Sequence, residues 1–296
     1  MNMDAFSKRH PLVNFLFFVG AIGMGIMIQH PAYLAAGVLC AGTYYLLLKG
    51  RSGLAFLGAM VPLFLVLSAI NPLFNTYGER VLFSFFGRPY TLEALLYGGA
   101  NAAMFVAMLL WFGCYNVVLT SDKFTSLFGN LIPALSLLLV MVLRLIPNLM
   151  RKAAQLSGAR RSIGRGAAED APVKEKLAEG MVVLSAQTDW ALEGSIVTGD
   201  SMRSRGYGTA KRSSFMIYRM TGLDRLLLAL ILILAAVVVG FALTGAVSAA
   251  YTPQLQIAPI TGHRMLGYGA YWAYLLIPTV LHIKEAIQWH ISRSKI

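Results

Sequence analysis

Charge is scarce in this sequence. Only 13% of its 296 residues are Asp, Glu, Lys or Arg, against roughly 25% in a soluble domain. Carboxylates are the scarcer sign, 13 against 25 Lys and Arg, and the interiors of the long apolar runs hold none. A proton relay or an intramembrane carboxylate pair has no material there. Cysteine is scarce too. Cys40 and Cys114 both lie in apolar stretches, a spacing that excludes a disulfide framework and a zinc site, so no metal is expected. There is no GxxxxGK[ST], no HExxH and no GxSxG, which excludes ATP hydrolysis by a phosphate-binding loop and the commonest hydrolase nucleophiles and zinc motifs. The five histidines are scattered. His10, His30 and His290 fall at the edges of apolar runs and His282 at the inner end of the last one, positions that suit structural roles.

Hydrocarbon takes the place of charge. The chain is 57% hydrophobic with a mean hydropathy of +0.64, the composition of a membrane protein. Apolar runs occupy 12–28, 32–48, 54–70, 92–118, 226–243 and 265–283. The first three are about 17 residues each, the short end of what crosses a hydrocarbon core of about 30 Å. Residues 71–91 carry turn residues at both ends and a β-rich centre at 81–86 before Gly87 and Arg88, which predicts a short hairpin outside the membrane. Thr91 is placed to cap the following helix, with Glu93 in its first turn. Ser121, Asp122 and Lys123 end that helix, and residues 244–262 read as a polar, proline-containing loop.

Residues 131–159 begin apolar all round and then turn amphipathic. Ile146, Leu149, Met150 and Ala153 share one face, with Arg144, Asn148, Arg151, Lys152 and Gln155 opposite. A Gly- and Arg-rich loop at 162–172 leads to a second long helix from about residue 173, with a narrow stripe of Leu177, Met181, Leu184, Thr188 and Leu192. That helix either runs through or breaks near Gly194 or Gly199 before Gly206. The polar, cationic stretch 184–212 is its second half. Residues 144–225 hold 14 of the 25 basic residues, a surface that would also suit anionic headgroups. Six spans with both termini inside leave only Arg80, Arg88 and Arg264 outside, so the positive-inside bias predicts cytoplasmic termini and a cytoplasmic basic region. In a membrane protein the net charge of +12 fits that bias and the lipid surface, and no nucleic acid is expected as a partner.

Two arginine-bearing helix ends stand out, Ala159-Arg160-Arg161 with Gly164 beyond, and Ser201-Met202-Arg203-Ser204-Arg205-Gly206-Tyr207-Gly208. The second is read with both arginines in the last helical turn. An arginine there suits the helix dipole, and glycine suits the left-handed position after a helix. A guanidinium held on a rigid helix end can also grip a carboxylate at two points.

LRLIPNLMRKAAQLSGARR, followed by WALEGSIVTGDSMRSRGYGTAKRSSFMIYR, resembles the transmembrane T component of energy-coupling factor transporters. HPLVNFLF, NPLFNTYG with TLEALLYG, and the Thr120–Phe124 turn are similar too, so the resemblance covers nearly the whole chain. The first motif usually reads Ala-Arg-Gly in that family and here reads Ala-Arg-Arg; the second reads Ser-Arg-Gly in place of Ala-Arg-Gly. The resemblance implies an all-α polytopic membrane protein with about six transmembrane helices, long cytoplasmic coupling helices and a short extracellular hairpin. It divides the chain into an N-terminal membrane domain (1–130), a coupling-helix domain (131–224) and C-terminal membrane helices with a basic tail (225–296). It implies a non-catalytic scaffold in a bacterial or archaeal cell membrane. Its partners would be two cassette ATPase subunits, identical or not, and a substrate-binding S component for a vitamin or metal. ATP and magnesium would sit on the ATPases, with no cofactor in this chain. Arg160 or Arg161 at one helix end and Arg205 at the other would meet acidic groups on the ATPases.

A self-contained secondary carrier and an interfacial membrane enzyme are the alternatives from other classes. The missing phosphate-binding loop yields a direct prediction. The purified chain, free of contaminating ATPases, should release no phosphate from ATP above a protein-free control in a coupled phosphate assay.

Overall fold

A computed structural model of the chain describes residues 4–75, 78, 80–85, 88–128, 133–166, 171–209, 218–245, 247, 249–251, 256–257 and 259–293. Gly87 of the expected hairpin turn, Lys211 and Arg212 of the basic stretch, and residues 294–296 of the tail lie outside them. The chain forms two compact units, one of Met1–Phe124 with Tyr218–Ile296 and one of Thr125–Ile217.

The first unit is a helical bundle whose helices start and stop on local signals. The helices α1 (Pro11–Met27) and α2 (Pro31–Lys49) each open on a His-Pro pair. Proline takes the first helical position, where its missing N–H would be unpaired anyway. The histidine Nδ1 accepts a hydrogen bond from the N–H two residues on, Leu12 at 3.2 Å and Ala32 at 3.3 Å. Gly50, at φ 59°, stops α2, and a short 3₁₀ turn (Gly50–Ser52) leads into α3 (Gly53–Phe74). Strands β1 (Val81–Phe85) and β2 (Arg88–Thr91) form the expected antiparallel hairpin. Thr91 then caps α4 (Leu92–Val118) by accepting from the Ala94 N–H at 3.4 Å, with Glu93 in the first turn.

After α4 the structure departs from the sequence reading. Ser121 to Lys123 do more than end a helix: they open a short one, α5 (Ser121–Phe128), carrying Lys123 back under the bundle. Thr221 and Asp224 cap α8 (Gly222–Leu243) reciprocally. The loop that follows contains a small antiparallel pair, β3 (Ala249–Ala250) and β4 (Gln256–Ile257), too short for any alternating pattern to announce it. The last helix, α9 (Arg264–Arg293), runs ten residues past the end of its apolar run.

Close approach fixes how these helices pack. Gly42 of α2 faces Leu57 of α3, and the Tyr45 and Phe56 rings lie 4.9 Å apart, so α2 and α3 run antiparallel. Gly98 of α4 meets the Ser68 carbonyl and Asn71 of α3. The Tyr274 ring of α9 stacks on Phe17 of α1 at 5.1 Å, and its hydroxyl donates to the Phe17 carbonyl at 2.9 Å. Tyr251 donates to the Gln29 carbonyl at 2.9 Å and packs on Tyr97, closing the end of the bundle where α1 meets α2.

The opposite end is closed by the residues before α1. Asp4 is buried, and its carboxylate accepts from the Tyr44 hydroxyl of α2 at 2.5 Å and pairs with His282 Nδ1 of α9 at 2.5 Å. Phe6 is fully buried. Lys123 donates to the Ser7 carbonyl, to Ser7 Oγ at 3.0 Å and to the Val118 carbonyl at 2.9 Å. Burial pushes its ammonium below the ordinary lysine range, and the Asp4 charge opposes that shift. Lys8 reaches Glu285 at 2.6 Å, and Arg9 lies 3.9 Å from Asp224.

Outside, the bundle is hydrocarbon. Leu54, Val61, Leu65, Val66 and Ile70 of α3, and Leu226, Leu232 and Ile233 of α8, are exposed, while Tyr44, Tyr271 and Tyr274 are interior. A lipid-facing protein can afford that inversion; a water-facing one cannot. Among the described residues three helical stretches, Pro31–Phe74, Leu92–Val118 and Gly222–Leu243, are long and apolar enough to cross a membrane, the first comprising both α2 and α3; α1 is a shorter apolar helix. The chain is a predominantly helical, membrane-embedded protein.

The second unit holds two long helices, α6 (Pro133–Ser162) and α7 (Val173–Ser204). Pro147 lies inside α6 without ending it, and α7 runs unbroken through Gly194 and Gly199.

The contact at Gly98 gives a stability prediction. A Cβ there would lie 2.6 Å from the Ser68 carbonyl oxygen, whereas one at Gly23 in α1 would meet nothing within 4 Å. Gly98→Ala should therefore cost about 1–3 kcal/mol by forcing α3 from α4. Gly23→Ala should be neutral or stabilise by up to about 1 kcal/mol. Thermal unfolding in detergent compares the two.

Candidate functional site

The second unit carries all the arginine-motif residues singled out in the sequence, on the ends of α6 and α7. One face of α7 is turned to α6 by helical spacing: Glu179, Val183, Gln187 and Trp190 follow at steps of four, four and three. Val183 is buried. Gln187 donates to the Leu149 carbonyl at 2.6 Å. Lys152 sits 4.9 Å from the centre of the Trp190 ring, a cation–π contact. Arg160 grips Glu179 at two points, Nε to Oε1 at 2.7 Å and Nη2 to Oε2 at 2.8 Å. Higher numbers on α6 meet lower numbers on α7, so the pair is antiparallel where it touches.

The two helices end in the same way. At the end of α6, the Gly164 N–H donates to the Arg161 carbonyl at 3.0 Å and the Arg165 N–H to the Arg160 carbonyl at 2.9 Å, with Gly164 at φ 71°. At the end of α7, the Gly206 N–H donates to the Arg203 carbonyl at 3.0 Å and the Tyr207 N–H to the Met202 carbonyl at 3.1 Å, with Gly206 at φ 73°. Both are Schellman caps, and the left-handed residue in each is glycine because a Cβ would be strained there. Beyond the second cap Thr209 folds back onto the Gly206 carbonyl through its N–H at 3.2 Å and its hydroxyl at 2.7 Å, with Gly208 at φ 92°.

These caps place each expected residue. Ala159 and Arg161 are exposed on the last turns of α6, and Arg160 is half-buried against Glu179. Ser201 and Met202 are partly covered, Arg203, Ser204 and Arg205 are exposed, and Tyr207 stands out beyond the cap. One placement corrects the sequence reading. α7 ends at Ser204, so Arg205 is the residue that caps the helix, and Arg203 is the cation in the last turn. The cause is the cap itself: once Gly206 turns left-handed, its N–H returns to Arg203 and the helical ladder closes one residue early. The stripe of Leu177, Met181, Leu184 and Leu192 faces away from α6 and is exposed, as are Ile146 and Met150.

Geometry separates the two ends. Glu179 lies level with Arg160, and Arg205 lies 26 residues further along α7, about 39 Å at 1.5 Å per residue. The unit thus presents two cationic, backbone-fixed tips too far apart for one pocket. Among the described residues no group of three or more His, Cys, Asp or Glu is placed to hold a metal. Compared with protein-family models the chain matches none, and no curated protein matches it.

Glu179 was not singled out by sequence. It stands 19 positions from Arg160, and only its place on the face of α7 shared with Val183 and Gln187 could have pointed to α6.

The Arg160–Glu179 pair carries a pH dependence. Its two hydrogen bonds from Arg160 hold the Glu179 carboxyl below the ordinary carboxylate range. A depressed carboxyl stabilises the folded pair above its unfolded pKa, about 4.3, and that contribution is lost as pH falls through the lowered value. The α6–α7 contact should therefore be unchanged from pH 8 to about 5 and loosen only below about pH 4. Spin labels on the two helices would record this, and Glu179→Gln should remove the acid transition.

Proposed function

We propose that this chain is the transmembrane scaffold of an energy-coupling factor importer. In this reading α6 and α7 are coupling helices that transmit motion from two cassette ATPases to a separate substrate-binding membrane protein for a vitamin or metal. The observation that carries the reading is the pair of identically capped, arginine-bearing helix ends about 39 Å apart. One tip suits one partner, and two tips suit a pair of ATPase subunits. The arginines at each tip are Arg160 and Arg161 on α6 and Arg203 and Arg205 on α7. ATP and magnesium belong to the ATPases, consistent with the missing phosphate-binding loop. The exposed apolar stripes of α6 and α7 supply a surface for the substrate-binding partner.

The membrane arrangement proposed is six crossings, by α1, α2, α3, α4, α8 and α9, with both termini cytoplasmic. The packing supports it. Residues 4–10, the α2–α3 turn, the ends of α4 and α9 and the start of α8 fall at one end of the bundle, while the α1–α2 turn and the start of α4 fall at the other. The 22-to-3 division of Lys and Arg favours the same orientation. The 17 residues of α1 reach about 26 Å, enough for a crossing with snorkelling flanks such as Lys8 and Arg9. A cysteine at Thr76 should react with an impermeant thiol reagent added outside intact cells, and one at Glu175 only after lysis. The opposite pattern would reject this orientation.

Docking is tested on cassette ATPases from the same genome, co-expressed with the chain and co-purified in mild detergent. Truncating one partner of an interfacial charge pair costs about 2–5 kcal/mol. Arg205→Ala should accordingly weaken its docking point by roughly 30-fold or more, while the second tip still holds the complex by avidity. Adding Arg160→Ala and Arg161→Ala should release the ATPases. Arg205→Lys should rescue in part, because an ammonium lacks the planar fork. Arg219→Ala, a basic change outside both tips, should do little. Equal damage from Arg219→Ala would assign the interaction to diffuse charge and reject the tip mechanism. A self-contained carrier would instead transport in liposomes with no ATPase present.

A further inference from the structure

Arg160 and Arg161 are neighbours in sequence but differ in what they meet. Successive residues of a helix point about 100° apart, so Arg160 turns to α7 and bonds Glu179, while the exposed Arg161 acts on Glu179 through its charge without a hydrogen bond to it. Arg160 spends Nε and Nη2 on the two oxygens of Glu179 and shares Nη2 with the Arg165 carbonyl at 3.3 Å. It thereby ties together α6, α7 and the loop that caps α6. Its side chain is 23% exposed and that of Glu179 15%, while Arg161 is exposed.

The two caps supply a second, independent comparison. When Gly164 is matched to Gly206, Arg161 matches Arg203 and Arg160 matches Met202. The outward cation common to both tips is thus the residue whose carbonyl receives the glycine N–H, three positions before the glycine. At the Arg160 position the second tip carries no charge at all.

We infer that Arg160 is a positioning residue whose two-point grip on Glu179 sets the spacing of the two tips, and that Arg161 is the cation of the first tip left for an acidic partner, as Arg203 and Arg205 are at the second. The second half of this inference rests on the docking function proposed above; the first half does not. The contact between α6 and α7 has little apolar burial, with Val183 the one buried residue of α7. A planar, bidentate pair is therefore the element that restricts how the helices slide and turn past each other.

The experiment uses the full-length chain in lipid nanodiscs. Nitroxides are placed on cysteines introduced at Ile163 and Asp200, in a background with Cys40→Ala and Cys114→Ala. Pulsed dipolar spectroscopy then reads the distance between the labels, and binding of the co-expressed cassette ATPases is titrated on the same preparations. Arg160→Ala and Glu179→Ala should each broaden the distance distribution. The exchange Arg160→Glu with Glu179→Arg should narrow it again and recover ATPase binding. Arg160→Lys, which keeps the charge but loses the fork, should give an intermediate width, and this variant serves if the exchange does not fold. Arg161→Ala should leave the distribution unchanged and weaken ATPase binding about 30-fold or more.

An unchanged distribution in Arg160→Ala would overturn the positioning role. So would an exchange that restores the distance but not the binding, since Arg160 would then be a docking contact itself. If Arg161→Ala, Arg203→Ala and Arg205→Ala all bind ATPases normally, the docking function fails, and the distance data still decide the role of Arg160.

Discussion

One buried carboxylate organises the membrane bundle. An ionised group withdrawn from water costs several kcal/mol unless partners replace its hydration. Asp4 has two such partners, Tyr44 on α2 and His282 on α9. To reach them, the residues before α1 fold back across the end of the bundle. Phe6 is then forced into the core, and Ser7, Lys8 and Arg9 meet Lys123, Glu285 and Asp224. Seven residues in this way tie together α1, α2, α4, α5, α8 and α9. At the other end Tyr251 closes the bundle through the Gln29 carbonyl and the ring of Tyr97.

The α6–α7 unit follows a different logic. Its helices are long and their apolar residues are largely exposed. What joins them is polar and local: a bidentate ion pair, an amide donating to a helix carbonyl and a lysine over an indole. These contacts are partly buried and few, so the relation between the two helices rests on their geometry rather than on apolar burial. Each helix is nevertheless rigid to its tip, because a Schellman cap ends it at a glycine with positive φ.

Local chemistry was readable along the chain. Hydrophobic runs announced α1, α2, α3, α4, α8 and α9. Thr91 with Glu93 marked a helix start and Gly206 marked a stop, since each acts on backbone groups within a few residues. The hairpin expected within 71–91 followed from its turn residues and its β-rich centre at 81–86. The ends were less legible. β3 and β4 have two residues apiece, α5 hides in a polar turn, and Arg205 lies just past the helix it was assigned to, because a cap is set by one residue's backbone angle.

The residues that meet only in three dimensions were beyond sequence reasoning. Asp4 and His282 are 278 positions apart, and no pattern in a single chain encodes such a pairing. A helical bundle facing hydrocarbon, two arginine-bearing helix ends, a glycine stop at Gly206 and the missing phosphate-binding loop were all legible along the chain. Those properties depend on composition and on neighbours within one or two turns. Long-range packing alone buries a carboxylate that precedes the first apolar run between α2 and α9. The same packing turns Arg160, of two adjacent arginines, inward to Glu179 while Arg161 stays exposed. The reason is geometric: a helix fixes how its side chains fan out, and only the packing of a second helix against it selects which of them finds a partner.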